Sequence, residues 1–211
     1  MTQDITFYFD FASPYAYFAA QRIDALAAVH GRKVRWTPVL LAALRQATGS
    51  PLAPEVPLKW AYVQRDLPRT ARMLGIPYRQ PPGFPRFLVE PARAMLWLRR
   101  TQDDAVATAF ARRCFGAYFG DGIDLDQEVL LGIAAALGVD RAALAAGMAD
   151  PAIKQLLKEE NERAIAAGVF GVPFVIADGA AFWGSDRLDQ LAAHLAGQGG
   201  AAGAAGAAGA A

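Results

Sequence analysis

Residues 5–10 alternate Ile5, Phe7 and Phe9 with Thr6, Tyr8 and Asp10, and both sets are largely apolar. That pattern predicts an interior strand covered on both faces. A helix is predicted from Pro14, with Ala19, Ile23, Leu26 and Ala27 on one face and a stop at Gly31. Val34 and Trp36 then alternate with Lys33, Arg35 and Thr37, giving a second strand that closes at Pro38. A β-α-β order of this kind implies a parallel pair joined right-handedly.

From about residue 41 to 167 the period changes and stays helical, broken by Pro/Gly-rich loops over 48–57 and 75–85. Val106, Phe110 and Cys114 recur every four residues, and Val129, Leu130, Ile133 and Leu137 form another stripe closed by Gly138. Asp150-Pro151 reads as an N-cap with Pro at the first helical position, opening a helix that turns Ile153, Leu156, Leu157 and Ala164 inward and ends at Gly168. Strand character returns over 173–177, Asp178-Gly179 is a hairpin turn, and 181–183 is the returning strand. A last amphipathic helix is expected from Ser185 to about Ala196, with Leu188, Leu191 and Leu195 on one side.

The order is therefore β-α-β, a long helical block, then β-β-α. Neither outer piece can cover both faces of its own sheet. Joined, they form one four-stranded mixed sheet with flanking helices, an α/β fold in which the helical block is an insertion. The junction of block and sheet is a natural place for a cleft. The Ala/Gly repeats near the C-terminus carry no large apolar side chain, so residues 199–211 are expected to be a disordered tail without function.

Composition narrows the function. The 211 residues are 54% hydrophobic and 19% charged, with a formal net charge of +1, which leaves no electrostatic footprint for nucleic acid. Cys114 is the single cysteine, and His30 and His194 lie far apart, so neither an internal disulfide nor a metal cluster is expected. Residues 1–9 lack a signal-peptide pattern, and no stretch is long enough to span a membrane; the expectation is a soluble cytoplasmic protein.

Four segments could carry chemistry. Ser13-Pro14, after Asp10-Phe11-Ala12, is an N-cap followed by Pro, and alone it is an ordinary helix start. A helix N-terminus also offers free N–H groups and partial positive charge, and with a serine hydroxyl it would stabilise a thiolate. With no cysteine nearby, that thiol would belong to a ligand. In the second, Gly168-Val169-Phe170-Gly171-Val172-Pro173, proline is explained simply as a strand start, and more sharply as a cis peptide that turns the Val172 backbone outward to pair with an extended peptide. In the third, Trp183-Gly184-Ser185-Asp186-Arg187, Ser185 or Asp186 is a plain cap, yet together they suit an end group carrying both ammonium and carboxylate. The fourth is Lys59 with Trp60, Tyr62, Arg65, Asp66 and Arg69, mostly a solvated charged face, in which Lys59 could meet a carboxylate. Cys114, on its apolar stripe, reads as core.

Taken in order, the run from Phe9 to Tyr17, Lys59-x-x-Tyr62-x-x-Arg65-Asp66-x-x-Arg69, the run from Gly168 to Pro173 and the run from Phe182 to Leu188 resemble the 2-hydroxychromene-2-carboxylate isomerase family. That family is grouped with the kappa-class glutathione transferases and the bacterial disulfide-oxidase fold. The resemblance spans about residues 5–195 and implies a thioredoxin-like core, residues 1–40 and 168–198, with residues 41–167 inserted as a helical domain. It implies glutathione as cofactor: Ser13 on its sulfur, Val172 before Pro173 on its cysteinyl backbone, Ser185 and Asp186 on its γ-glutamyl end, and Lys59 on its glycyl carboxylate. The expected substrate is a small aromatic 2-oxo acid, walled by Phe11, Tyr15, Trp60, Tyr62 and Phe84, with Arg65 on its carboxylate. A homodimer is compatible with the resemblance, although no face in the sequence marks one.

Two departures bear on the acceptor side. Thr48-Gly49 is followed by Ser50-Pro51 where family members often carry Asn, and Phe84-Pro85 leads into Arg86-Phe87-Leu88 in place of the usual Asn-Thr. The leading expectation is an isomerase of aromatic catabolism, with a kappa-like transferase or peroxidase as the alternative. A peptide-binding protein of the same fold is a third class. Disulfide exchange is excluded by route, since Ser13-Pro14-Tyr15-Ala16 stands where Cys-x-x-Cys would be needed.

Overall fold

A computed structural model describes residues 4–197, so the expected tail over 199–211 lies outside the described residues. Strand β1 (Ile5–Phe9) is interior, parallel to β2 (Val34–Pro38) on one side and antiparallel to β3 (Phe174–Ala177) on the other. Strand β4 (Ala180–Trp183) completes the order β2-β1-β3-β4. The hairpin between β3 and β4 turns on Asp178 and Gly179, both at positive φ (51° and 80°). Two such residues in a row are what the favoured two-residue hairpin requires.

The double-sided apolar pattern of β1 is used on both faces. Ile5, Phe7 and Phe9 join Trp36, Val175 and Ala177 in the main core, where Trp36 meets Phe7 and Phe9 edge-on at 5.1 and 5.4 Å. Tyr8, Phe174 and Ile176 face a smaller cluster with Val39, Leu44, Ala164 and Val169. A strand buried on both faces must be apolar on both, which is why its alternation is faint.

The single helix expected from Pro14 to Gly31 is two helices, α1 (Pro14–Ala20) and α2 (Ile23–Val29). Neither Gly nor Pro marks the break. The two pieces bury different surfaces: Ala16 to Ala20 are all covered in α1, whereas α2 buries only Ile23 and Ala27. One straight helix cannot present both, so packing overrides the continuous helical pattern. Between β2 and β3 lie α3 (Leu41–Thr48), α4 (Pro57–Leu74), α5 (Glu90–Thr101), α6 (Asp104–Phe115), α7 (Gln127–Ala135), α8 (Arg141–Ala149) and α9 (Pro151–Ala166). Capping chemistry sets several of their starts: Asp103, Asp126, Asp140 and Asp150 each accept a backbone N–H from the first turn, at 2.7–2.9 Å. Helix α6 runs on into a π-helical turn, Gly116–Gly120, which buries Tyr118 and Phe119. Helix α9 packs on β2 and contributes Ala164 to the small cluster, so the last helix of the block covers the sheet. The C-terminal helix α10 (Leu188–Leu195) follows a 3-10 turn over Ser185–Arg187. No helix among the described residues is long and apolar enough to cross a membrane.

Candidate functional site

A cavity of about 600 Å³ opens where the carboxyl end of β1, the start of α1, helices α3 and α4 and the loop over 84–87 converge with the turn before β3. Ser13 lies on it, 5% exposed, in extended backbone ahead of Pro14. Its Oγ accepts the Ala16 N–H at 3.2 Å. That leaves the hydroxyl proton free to donate elsewhere, since a hydroxyl both accepts and donates. Pro14 has no N–H, and the Tyr15 N–H has no hydrogen-bond partner among the described residues. The helix start therefore presents a hydroxyl and a bare N–H toward the cavity side of α1.

Asp10 holds this corner together. It is buried (3% exposed), and its two carboxylate oxygens accept the Ala12 N–H at 2.8 Å and the Leu41 N–H at 2.6 Å. Its own carbonyl accepts the Ser13 N–H at 3.0 Å. Burial pushes the carboxyl up to about 6, although the two backbone N–H groups work in the opposite direction. From the other side, the buried Asn161 of α9 accepts the Leu40 N–H at 2.7 Å. Asp10 and Asn161 thus pin the start of α3, whose Leu41, Leu44, Arg45 and Thr48 form one cavity wall.

The opposite wall is α4, carrying Lys59, Trp60 and Val63 into the cavity. It is tied to α1 by the Tyr15 hydroxyl, which donates to Asp66 at 2.7 Å. Asp66 also accepts from Tyr62, Arg69 and Thr70. Burial opposes the Asp66 charge, yet the donations from Tyr15, Arg69 and Tyr62 hold its carboxyl below the ordinary value. The Tyr15 phenol is pushed up, first by burial and then by its bond to Asp66, so it stays a donor. Lys59 makes no ion pair or hydrogen bond among the described residues.

The Val172–Pro173 peptide is cis, and Val172 lines the cavity beside Gly171 and Phe170. Neither backbone polar group of Val172 has a partner among the described residues. The Pro173 carbonyl accepts the Gly184 N–H at 2.9 Å, which ties this corner to the Ser185 turn. Gly184 has φ +117°, and a Cβ there would collide with the Asp186 carboxylate, so only glycine lets that carboxylate fold back over the turn. Gly171 is demanded by contact instead: its Cβ would sit 2.7 Å from Nε1 of Trp183, whose ring packs on Phe170 at 4.8 Å at the cavity mouth.

Of the residues singled out from sequence, Ser13, Tyr15, Lys59, Trp60, Phe84 and Val172 line this one cavity. Ser185 and Asp186 adjoin it through Trp183 and Pro173 without lining it; Ser185 is buried and the Asp186 side chain is exposed. Three do not face it. Phe11 is 1% exposed in the core, edge-on to Phe9 and tilted by 32° against Phe115, because it points inward from the loop after β1. Tyr62 is exposed and turned to Asp66 and Arg69. Arg65 lies back along its own helix, Nε donating to the Ala61 carbonyl at 3.1 Å. Arg86 and Phe87, expected on the acceptor side without a role, line the cavity as well, whereas the sequence reading gave Asp10 and Phe170 no part in it. A polar residue ending a buried strand was the available signal for Asp10; Phe170 depends on how the loop before β3 folds back, which periodicity does not carry. Cys114 is wholly buried, its thiol pushed well up by that burial. No cluster of three or more metal-ligating side chains occurs among the described residues.

The sheet order, the buried N-terminus of α1 and the corner before β3 define a thioredoxin-like domain with helices between its halves. A DsbA-like thioredoxin domain model matches residues 4–196, and the chain belongs to that family, on its 2-hydroxychromene-2-carboxylate isomerase branch. It is 33% identical over 190 residues to 2-hydroxychromene-2-carboxylate isomerase of Pseudomonas putida, covering 89% of this chain and 91% of the relative. It is 28% identical over 205 residues to glutathione S-transferase kappa 2 of Caenorhabditis elegans, covering 91% of each. Among solved structures it superposes on a 2-hydroxychromene-2-carboxylate isomerase with a TM-score of 0.80 at 32% identity, covering 92% of this chain and 95% of the other.

Proposed function

We propose that the protein is a glutathione-dependent isomerase that interconverts 2-hydroxychromene-2-carboxylate and trans-o-hydroxybenzylidenepyruvate. The observation that carries the reading is Ser13: a buried hydroxyl on the cavity with its proton uncommitted, at a helix start that holds no cysteine. The names of the relatives agree with the reaction, those of the kappa-class relatives with the cofactor.

The unpartnered groups around the cavity fit glutathione. The Ser13 hydroxyl and the Tyr15 N–H would face its sulfur, where two donors and the partial positive charge of the helix start favour thiolate over thiol. The free N–H and C=O of Val172 would pair with the cysteinyl backbone in the manner of an added strand. The Ser185 turn with Asp186 suits the zwitterionic γ-glutamyl end, and the unpaired Lys59 the glycyl carboxylate. When bound, glutathione supplies a nucleophilic sulfur that adds reversibly to the conjugated double bond of an aromatic 2-oxo acid and leaves again. The chain's own task is to ionise and aim that sulfur, which is catalysis by positioning and by a lowered pKa. Trp60 and Phe84, with centroids 5.6 Å apart, offer an apolar wall for the aromatic ring.

A transferase acting on a lipophilic electrophile is the second reading, favoured by the 28% identity to the kappa 2 relative. The two differ in the fate of glutathione. We expect the free-thiol concentration to remain constant through many turnovers of the hydroxychromene acid. Loss of one thiol per turnover would replace the isomerase with the transferase.

A further inference from the structure

The cavity holds a cation that glutathione does not use. Of its two arginines, Arg45 is engaged by Glu55 at 2.7 Å. Arg86 lines the cavity yet makes no ion pair or hydrogen bond among the described residues. It lies on the loop that also brings Phe84 and Phe87 to the cavity, and Phe84 is packed on Trp60. Arg65, the guanidinium expected from sequence to meet a carboxylate, is turned onto its own helix. The charge of Arg86 also reaches inward: it opposes the upward push that burial gives the Tyr118 phenol behind the cavity.

An unpaired guanidinium lining the same cavity as these three aromatic side chains matches one kind of ligand, a planar anion with an aromatic body. Its fork of N–H donors fits a carboxylate bidentately, and no carboxylate among the described residues occupies it. We infer that Arg86 is the specificity residue that binds the carboxylate of the aromatic acceptor, with Phe84, Phe87 and Trp60 against its ring. The inference rests on the glutathione-dependent reading and deepens it, by assigning the choice of an anionic acceptor to one side chain outside the thiol-activating group.

Arg86→Met and Arg86→Lys test it with two acceptors: trans-o-hydroxybenzylidenepyruvate, and the methyl ketone that lacks its carboxylate. Arg86 is on the exposed rim, so both variants keep the core intact. Loss of a charge-assisted pair should lower kcat/KM for the acid about 10- to 100-fold in Arg86→Met, chiefly through KM, with partial recovery in Arg86→Lys. Turnover of the neutral ketone and calorimetric affinity for glutathione should stay within about twofold. Undiminished turnover of the acid, or an equal loss on both acceptors, would overturn the assignment. A separate calorimetric arm titrates the non-reacting, saturated acid into each protein in the presence of glutathione. Weaker binding to Arg86→Met supports the role of Arg86 even if the wild type shows no isomerisation, and equal binding overturns it. Absence of glutathione-dependent turnover in the wild type would instead reject the underlying reading.

Discussion

Asp10 illustrates how much one buried side chain can organise. Both its oxygens are used on backbone N–H groups, one in its own loop and one at the start of α3, so it fixes the walls on either side of Ser13. Asn at this position keeps the shape but offers only one acceptor oxygen, which strands a backbone N–H at a cost of about 1–3 kcal/mol. The carboxyl also carries a pH signature. Its value rises from 3.8 to about 6 on folding, so the native state binds the proton more tightly than the unfolded chain. Its contribution to stability is therefore full below about pH 4 and lost as pH climbs through about 6. Unfolding of wild type and Asp10→Asn should show it: the wild type gains on the variant as pH falls from 7 to 4. A difference constant over that window would remove the titration from Asp10.

Among the elements, α1 and α4 matter most, because they carry Ser13 and Lys59 and meet through Tyr15 and Asp66. Tyr15→Phe should cost about 1 kcal/mol, and a cycle with Asp66→Ala should return a coupling energy of at least about 0.5 kcal/mol by denaturant unfolding. Strict additivity would show that the bond does not link the two helices. This link also marks where sequence reading stopped. The elements with a clear apolar pattern, β1 as a short apolar run and β2, the β3–β4 hairpin and α9 by their period, were legible close to their ends, because burial of one or both faces leaves a direct trace in residue order. The split between α1 and α2 left none, since it answers to which neighbours cover each half. Tyr15, Tyr62 and Asp66 were visible as a polar helix face with an aromatic partner, but their pairing spans 51 residues from Tyr15 to Asp66 and belongs to tertiary structure alone.

At the scale of the whole molecule, the cavity is assembled from segments that are distant in sequence and individually unremarkable: a helix cap, a proline before a strand, a lysine at a helix start. Ser13, Lys59 and Val172 could be named from sequence because each sits beside Pro or at an element boundary, where local chemistry is readable. Arg86 and Phe87 were placed on the acceptor side only by the resemblance and were given no role, because the loop that bears them has no period. What the fold adds is convergence on one cavity, with the donors of α1 and of Val172 left without partners of their own. If that arrangement exists to ionise a bound thiol, its effect is measurable without knowing the natural substrate. The most direct test is the ultraviolet thiolate absorbance of bound glutathione, titrated against pH in wild type and Ser13→Ala. The account predicts an apparent thiol pKa well below that of free glutathione in the wild type, returning most of the way to the free value in the variant. The same thiolate population in both proteins would contradict it.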